Sequence, residues 1–327
     1  MQPATTTTRM ILGAPGTGKT EELLRSALEF LSDDGNPAHL LVLTPSRVSA
    51  TRFREDLTAR ANRTMSTAPV RAWQAYAFDV IRRAHVEGLL PGLEFNPKLI
   101  SGPEQDVMIG ELLAGHAAGE GAAIFWPADL HEALPTRGFR HEIRDFFDRM
   151  AEYQLSAEQV KELAQQWNRP EWDAVARLHT EYQQVRRLRM PHGFDPAALI
   201  HQACAVFLEN PEFLAKEREQ LQLVLIDDMQ EATPAIYRLL DILCGAESSP
   251  EPAPHTHITL CTDTVVQGFR GARPQYAGQL KQIFPHAQLV SLQNSYRMPA
   301  KVAEAWSAVA TRIPVVPGGR HPRTLAQ

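Results

Sequence analysis

The sequence predicts a doubly wound α/β core interrupted by an all-helical insertion. Three observations predict it: short apolar runs at both ends of the chain, helix signals between those runs, and no strand-like run from about residue 87 to 219. Residues 9–12, 39–44, 221–227, 257–262 and 287–292 are the expected strands. Each is largely a continuous apolar run instead of an alternating one, the pattern of strands buried on both faces of a parallel sheet. Helices are expected between them, over 20–31 and 48–61, and the alternation of strand and helix gives the fold class.

The middle of the chain reads differently. Ser101 with Glu104 and Ser156 with Gln159 have the spacing of capping boxes, and Asp195 before Pro196 reads as an N-cap followed by a first-turn proline. Residues 139–153 and 172–189 place apolar side chains at helical spacing. The Pro- and Gly-containing stretches 87–97 and 190–196 are expected hinges, and 245–254 a surface loop. A last helix is expected over 300–309, after which the Pro- and Gly-rich 314–319 ends regular structure. The domain plan is therefore 1–85 with 221–312 as a split α/β domain, 86–220 as the helical insertion, and 313–327 as a tail.

Composition narrows the function. The 327 residues are 44% apolar and 22% charged, which excludes collagenous, mucin-like and wholly disordered chains. A formal net charge of -5 argues against a uniformly basic coat for nucleic acid, while leaving room for a local basic groove. Cys204, Cys244 and Cys261 are far apart, so a disulfide framework and a cysteine-ligated metal site both lack ligands. Twelve histidines are scattered without metal-site spacing, and no nucleophile constellation stands out. No secretory signal opens the chain, and no apolar run reaches the roughly 18 residues that span a bilayer. A soluble, cytoplasmic protein with no membrane association is expected.

The strongest local signal is Gly13-Ala14-Pro15-Gly16-Thr17-Gly18-Lys19-Thr20, a complete G-x-x-x-x-G-K-[ST] between an expected strand and an expected helix. Such a loop brings backbone N–H groups against phosphate oxygens at a helix N-terminus. Lys19 would reach the β- and γ-phosphates and the Thr20 hydroxyl would ligate Mg²⁺, so ATP or GTP is the expected cofactor. The run 221–226 then ends in Asp227, Asp228 and, two residues on, Gln230. Acids at the end of a buried strand beside a phosphate loop suit a Mg²⁺-associated acid, Asp227, and a base for the attacking water, Asp228. The competing reading is an ordinary acidic surface turn.

These residues carry a resemblance. The chain resembles the N-terminal motor region of the superfamily 1A DNA helicases of the UvrD/Rep type, whose motifs occur here in order. GAPGTGKT at 13–20 is similar to motif I, LLVLTPSRVSA at 40–50 to motif Ia, and VRAWQAYAFDVIRR at 70–83 to the motif Ic region. LIDDMQEAT at 225–233 resembles motif II, TDTVVQGFRGA at 262–272 motif III, and LQNSYR at 292–297 motif IV. Within the helical stretch, TRGFRHEIRDFFDRM at 136–150 resembles a block of the actinobacterial AdnAB helicase-nucleases, which are similar to RecB-like motors.

The resemblance implies a RecA-like parallel sheet, ATP with Mg²⁺, and single-stranded or duplex DNA as partner. It also implies repair or recombination as the setting and a second helicase-nuclease subunit in the full-length protein. Residue by residue, it implies nucleotide contact at 13–20, coupling of nucleotide to motor by Gln230, and a γ-phosphate contact by Arg297. Thr44, Ser46 and Arg47 correspond to the DNA-contacting end of motif Ia. Phe269 corresponds to the motif III aromatic on which a base stacks. A surface ion pair for Arg297 and a core position for Phe269 are the alternatives.

The chain also departs from the pattern. Asp228 stands where motif II has Glu, Thr264 where motif III has Gln, and Leu260-Cys261 where that motif begins Gly-Asp. Glu21 replaces the adenine-contacting arginine and Gln74 the histidine of motif Ic, and no Q motif precedes the first strand. Each change spares nucleotide binding more than hydrolysis, so a slow or degenerate motor is expected. The family's second RecA-like domain, with motifs V and VI, is not found, so the chain is expected to be part of a larger protein.

Two functional classes follow: an ATP-driven DNA translocase, or a nucleotide-gated DNA-binding or scaffold subunit. A small-molecule P-loop kinase is disfavoured by the F-R-G-A and Y-R segments and the insertion. Arg137, Arg140 and Arg144, with Arg186, Arg187 and Arg189, form either solvated helix faces or a DNA surface.

Overall fold

The computed structural model describes residues 7–33, 35–61, 69–245, 253–268 and 271–325. In chain order, β1 (Thr8–Gly13), α1 (Lys19–Ser32), β2 (Leu40–Thr44), α2 (Arg47–Arg60), β3 (Val70–Ala72) and α3 (Trp73–Val86) come first. They are followed by β4 (Lys98–Leu99), α4 (Gly102–Ala117), α5 (Arg137–Glu152), α6 (Ala157–Gln166), α7 (Pro170–Arg189), β5 (Gly193–Phe194) and α8 (Leu199–Glu209). The chain then forms α9 (Pro211–Gln220), β6 (Leu223–Ile226), α10 (Pro234–Cys244), β7 (His255–Leu260), α11 (Leu280–Ile283), β8 (Gln288–Leu292) and α12 (Ala300–Ala310). Two compact units result, Met1–Ala77 with Ala203–Gln327, and Phe78–Gln202.

The first unit is a six-stranded sheet in the order β3-β2-β6-β7-β1-β8, every pair parallel. All residues of β2 and β6 are buried, as their unbroken apolar sequences require. Ile11, Val42 and Leu225 from the sheet pack with Leu23, Leu24 and Ala27 of α1 and Phe53 and Leu57 of α2. The chain steps outward from β1 to β3, returns to β6 and β7, and crosses β1 to reach β8. The order therefore reverses at β1, and in open α/β sheets a ligand crevice forms outside the carboxyl ends of the strands at such a point.

All five expected strands form, with bounds shifted by at most two residues at the ends that moved. β3 was not expected; three residues on a sheet edge are too few to show periodicity. The structure also overturns the reading that the middle has no strand. Lys98 pairs with Gly193 and Leu99 with Phe194 in a two-residue parallel ladder joining the incoming and outgoing segments of the second unit.

That second unit is otherwise helical. Its core gathers Ile109 and Leu113 of α4, Ile143 and Phe147 of α5, Val160 of α6 and Leu178 and Tyr182 of α7. The capping boxes at Ser101/Glu104 and Ser156/Gln159 are both present, each worth about 1 kcal/mol to its helix start. Asp195 is the N-cap residue before Pro196 in the first turn, as expected, but its side chain makes no capping bond. It accepts instead from Gln105 Nε2 at 3.0 Å and Tyr182 Oη at 2.8 Å, with Arg186 Nε 3.6 Å away. Residues 193–195, expected to be part of a hinge, are thereby tied down.

The divide between units also falls elsewhere than the composition of the sequence placed it. α9 belongs with the sheet unit because Arg218, fully buried, donates to the carbonyls of Ile242 and Gly245, and Tyr76 Oη donates to Glu217 at 2.8 Å. The tail belongs there too. Thr262 Oγ1 donates to Gly319 O at 3.2 Å, and Asp263 receives Arg323 through two bonds of 2.8 and 2.5 Å with His321 Nε2 at 3.3 Å.

Candidate nucleotide site

The site is built where β1 runs into α1. Gly16 and Gly18 have φ of +79° and +87°, the left-handed region, which lets the loop turn its N–H groups inward and then start the helix. Thr17 Oγ1 closes the turn by donating to Ala14 O at 2.8 Å. The buried Lys19 ammonium donates to the carbonyls of Gly13 and Ala14, each at 2.9 Å, so it lies across the loop. A cation and a 14-residue helix N-terminus together make a strong anion site.

The acids come from β6, two strands away, with β7 between. Thr20 Oγ1 lies 3.0 and 3.2 Å from the two carboxylate oxygens of Asp227. Burial, reinforced by the charge of Asp228, pushes the Asp227 carboxyl up to about 6 against hydrogen bonds from Thr259 and Thr20 and the charge of Lys19. Hydroxyl and carboxylate oxygens are the donors a hard cation takes. Among the described residues no group of three His, Cys, Asp or Glu could hold a metal by itself. This donor set fits Mg²⁺, which is bound through few protein oxygens plus water and phosphate.

Asp228 occupies the left-handed region at φ 50°, ψ 49°. Gln230 links it to the segment that follows β7, donating Nε2 to Asp228 Oδ1 at 3.0 Å while its Oε1 accepts from Cys261 N at 3.0 Å. Motif IV reaches the phosphate loop through its backbone: Tyr296 N donates to Gly16 O at 2.9 Å. Arg297 beside it is exposed and lies next to Gly16. Residues 13–20, Asp227, Asp228, Gln230 and Arg297 are thus brought to one end of the sheet.

The DNA-contact expectations divide. Thr44 needs correcting: it is 0% exposed, and its hydroxyl donates to Ser46 O at 3.1 Å, leaving no side-chain surface for DNA. The strand interior claims it because it is the last residue of fully buried β2. Ser46 is half-buried and caps α2 by accepting from Ser49 N at 3.1 Å, while Arg47 is exposed. Phe269 lies outside the described residues. Of the basic clusters, Arg140 pairs with Asp106, Arg186 with Asp195 and Arg189 with Glu111, whereas Arg137 and Arg187 are exposed.

Three residues escaped sequence reasoning. Thr259 of β7 is buried and bonds both acids, and its only signal was a hydroxyl inside an apolar run. Glu231, also buried, accepts from Val266 N and Gln267 N; it was a third acid in LIDDMQEAT. Tyr296, 80% exposed beside Gly18, was overshadowed by its neighbour Arg297.

The family described as UvrD/REP helicase N-terminal domain matches residues 1–285. Relatives include ATP-dependent DNA helicase UvrD1 of Mycobacterium tuberculosis (strain ATCC 25618 / H37Rv), 23% identical over 308 residues covering 93% of this chain and 37% of the relative. ATP-dependent DNA helicase PcrA of Leuconostoc citreum is 22% identical over 302 residues, 92% of this chain and 36% of the relative. DNA helicase II of Salmonella typhimurium is 21% identical over 309 residues, 92% and 38%. The chain thus spans a little over a third of these relatives' length. On the phosphate loop, the paired acids and a match that covers most of its residues, the chain belongs to the UvrD/REP helicase N-terminal domain family.

Proposed function

We propose that this chain is the ATP-binding portion of an ATP-dependent DNA helicase or translocase. One observation carries the reading: Thr20 of the phosphate loop donates to Asp227, at the end of a strand two places away, so two oxygen ligands suited to Mg²⁺ meet beside the loop from distant parts of the sequence. The N–H groups of the loop and Lys19 would hold the phosphates. Thr20 and Asp227 would hold Mg²⁺, which would supply positive charge against the phosphates. Asp228 would accept the proton of the attacking water, with Gln230 fixing its carboxylate. Arg297 would stabilise charge on the transferring phosphoryl group through its guanidinium.

DNA contact is proposed for Ser46 and Arg47 at the α2 start and for Phe269. The sheet unit would be the motor domain and the helical unit an accessory DNA-contacting insertion. The block at 136–150 supports a recombination or repair setting and a second helicase-nuclease subunit.

Two features favour a second reading, a nucleotide-gated scaffold with little turnover. Asp228 is a methylene shorter than Glu, and the Thr264 hydroxyl is turned back onto Cys261 O at 3.1 Å instead of outward. Steady-state ATP hydrolysis with and without single-stranded DNA separates the two. DNA-stimulated turnover of about 10 per second or more, the ordinary enzymatic range, would establish a full motor. Saturable ATP binding with negligible turnover would establish the scaffold, and absence of ATP binding would overturn both.

A further inference from the structure

β7 lies between the phosphate-loop strand and the acid strand, so its side chains are the ones both strands meet. Thr259 pairs across to Ile11 of β1, and Ile258 before it pairs with Ile226 of β6, which puts Thr259 level with Asp227. It is 0% exposed, between Ile258 and Leu260, which are equally buried. A hydroxyl buried so completely is costly unless its hydrogen-bonding capacity is used.

Here it is used on both acids. Thr259 Oγ1 donates to Asp227 Oδ1 at 2.6 Å and accepts from the backbone N–H of Asp228 at 2.9 Å. The polarity is dictated: an amide N–H can only donate, so the hydroxyl proton must point to the carboxylate. The relay therefore runs from Asp228 N–H through the hydroxyl to Asp227. One end fixes a carboxylate oxygen, leaving the group facing Thr20. The other end helps hold Asp228 in its left-handed backbone conformation, which costs a non-glycine residue about 1–3 kcal/mol and persists only where the surroundings enforce it.

We propose that Thr259 is the positioning residue of this site, one hydroxyl that sets both the orientation of the Mg²⁺-associated acid and the direction of the water-orienting acid. The role rests on the nucleotide-site reading above. Valine is nearly the same size and would keep the packing while leaving Asp228 N–H without its acceptor and Asp227 Oδ1 without its closest donor. Serine would keep both bonds.

The test compares Thr259→Val and Thr259→Ser with the unaltered chain. Affinity for a fluorescent ATP analogue is measured as Mg²⁺ is titrated, together with ATP turnover and the melting temperature. The valine variant should keep Mg²⁺-free nucleotide affinity within about twofold, because the loop and Lys19 are untouched. It should lose about tenfold or more of the Mg²⁺-dependent gain in affinity, the size of one hydrogen bond to a charged group. Any measurable turnover should fall at least as far, and serine should restore both. Mg²⁺ dependence and turnover unchanged in the valine variant would overturn the role of Thr259 alone. Equal loss in valine and serine variants, with lowered melting temperature and lost Mg²⁺-free binding, would make the residue merely structural and also overturn it. No nucleotide binding by the unaltered chain would overturn the underlying reading and this proposal with it.

Discussion

The buried carboxylate of Glu231 accepts the backbone N–H of Gln267 at 2.8 Å, and takes that of Val266 beside it at 3.0 Å. Glu231 lies three residues after Asp228, and Gln267 two before Phe269. One side chain therefore ties the acid segment to the loop that leads toward the proposed DNA contact. Burial raises the Glu231 carboxyl, while the two N–H bonds act to keep it charged.

Glu231→Ala should loosen this loop without touching the phosphate site. Amide hydrogen exchange at 265–268 should accelerate while ATP-analogue affinity stays within about twofold. Stimulation of hydrolysis by single-stranded DNA should fall by about tenfold, as for loss of a charge-assisted hydrogen bond. Unaltered exchange rates would show that the contact does not hold the loop.

Asp228→Glu should extend the carboxylate toward the attacking water. Steady-state turnover is expected to rise by about tenfold to a hundredfold, since displacement of a catalytic group by about an ångström costs on that scale. ATP affinity should not change. Combining it with Thr264→Gln should increase the gain. A fall in turnover would mean that the left-handed backbone at Asp228 already aims the shorter acid correctly.

Asp227 gives a pH signature. Its folded value, near 6, lies above the ordinary 3.8, so between those limits the folded state binds more protons and stability falls as pH rises. Asp227→Asn should therefore melt above the unaltered protein at pH 8 without nucleotide, by at most about 3 kcal/mol. The gap should close as pH falls through 6 toward 4, where the native carboxyl is already neutral. With Mg²⁺ and ATP the order should reverse, because the variant binds the ion poorly. A gap that widens on acidification would contradict this account.

The tail supplies a stability test. Arg323→Ala leaves the Asp263 carboxylate, 2% exposed, without its guanidinium partner and with His321 Nε2 at 3.3 Å. Removing one partner of a buried pair costs about 3–5 kcal/mol, read as a lowered denaturation midpoint. Replacing both, by Asp263→Asn with Arg323→Met, should recover part of the loss. Equal midpoints for Arg323→Ala and the unaltered chain would show the pair to be inconsequential.

What was legible in the sequence follows from how far each signal reaches. β2 and β6 were legible because both faces of those strands are buried, and the phosphate loop because its glycines are required locally; β8 carries the same apolar pattern although it lies largely exposed at the sheet edge. β3, β4 and β5 were not legible, since two or three residues take up strand geometry only when a partner strand is already in place. Motif position says nothing of side-chain direction, and the Thr44 hydroxyl is turned back onto Ser46 O inside the sheet unit. Thr259 and Glu231 were missed because their roles depend on which strand lies between β1 and β6. The docking of Arg323 on Asp263 joins segments separated by 60 residues, a pairing that no local pattern announces.

Calorimetric titration of ATP with Mg²⁺ into the unaltered chain and into Lys19→Ala tests the central claim most directly. The account predicts one saturable site in the unaltered chain, strengthened by Mg²⁺, and a loss of about tenfold or more in affinity in the variant. Lack of binding by the unaltered chain, or equal affinity in both proteins, would contradict it.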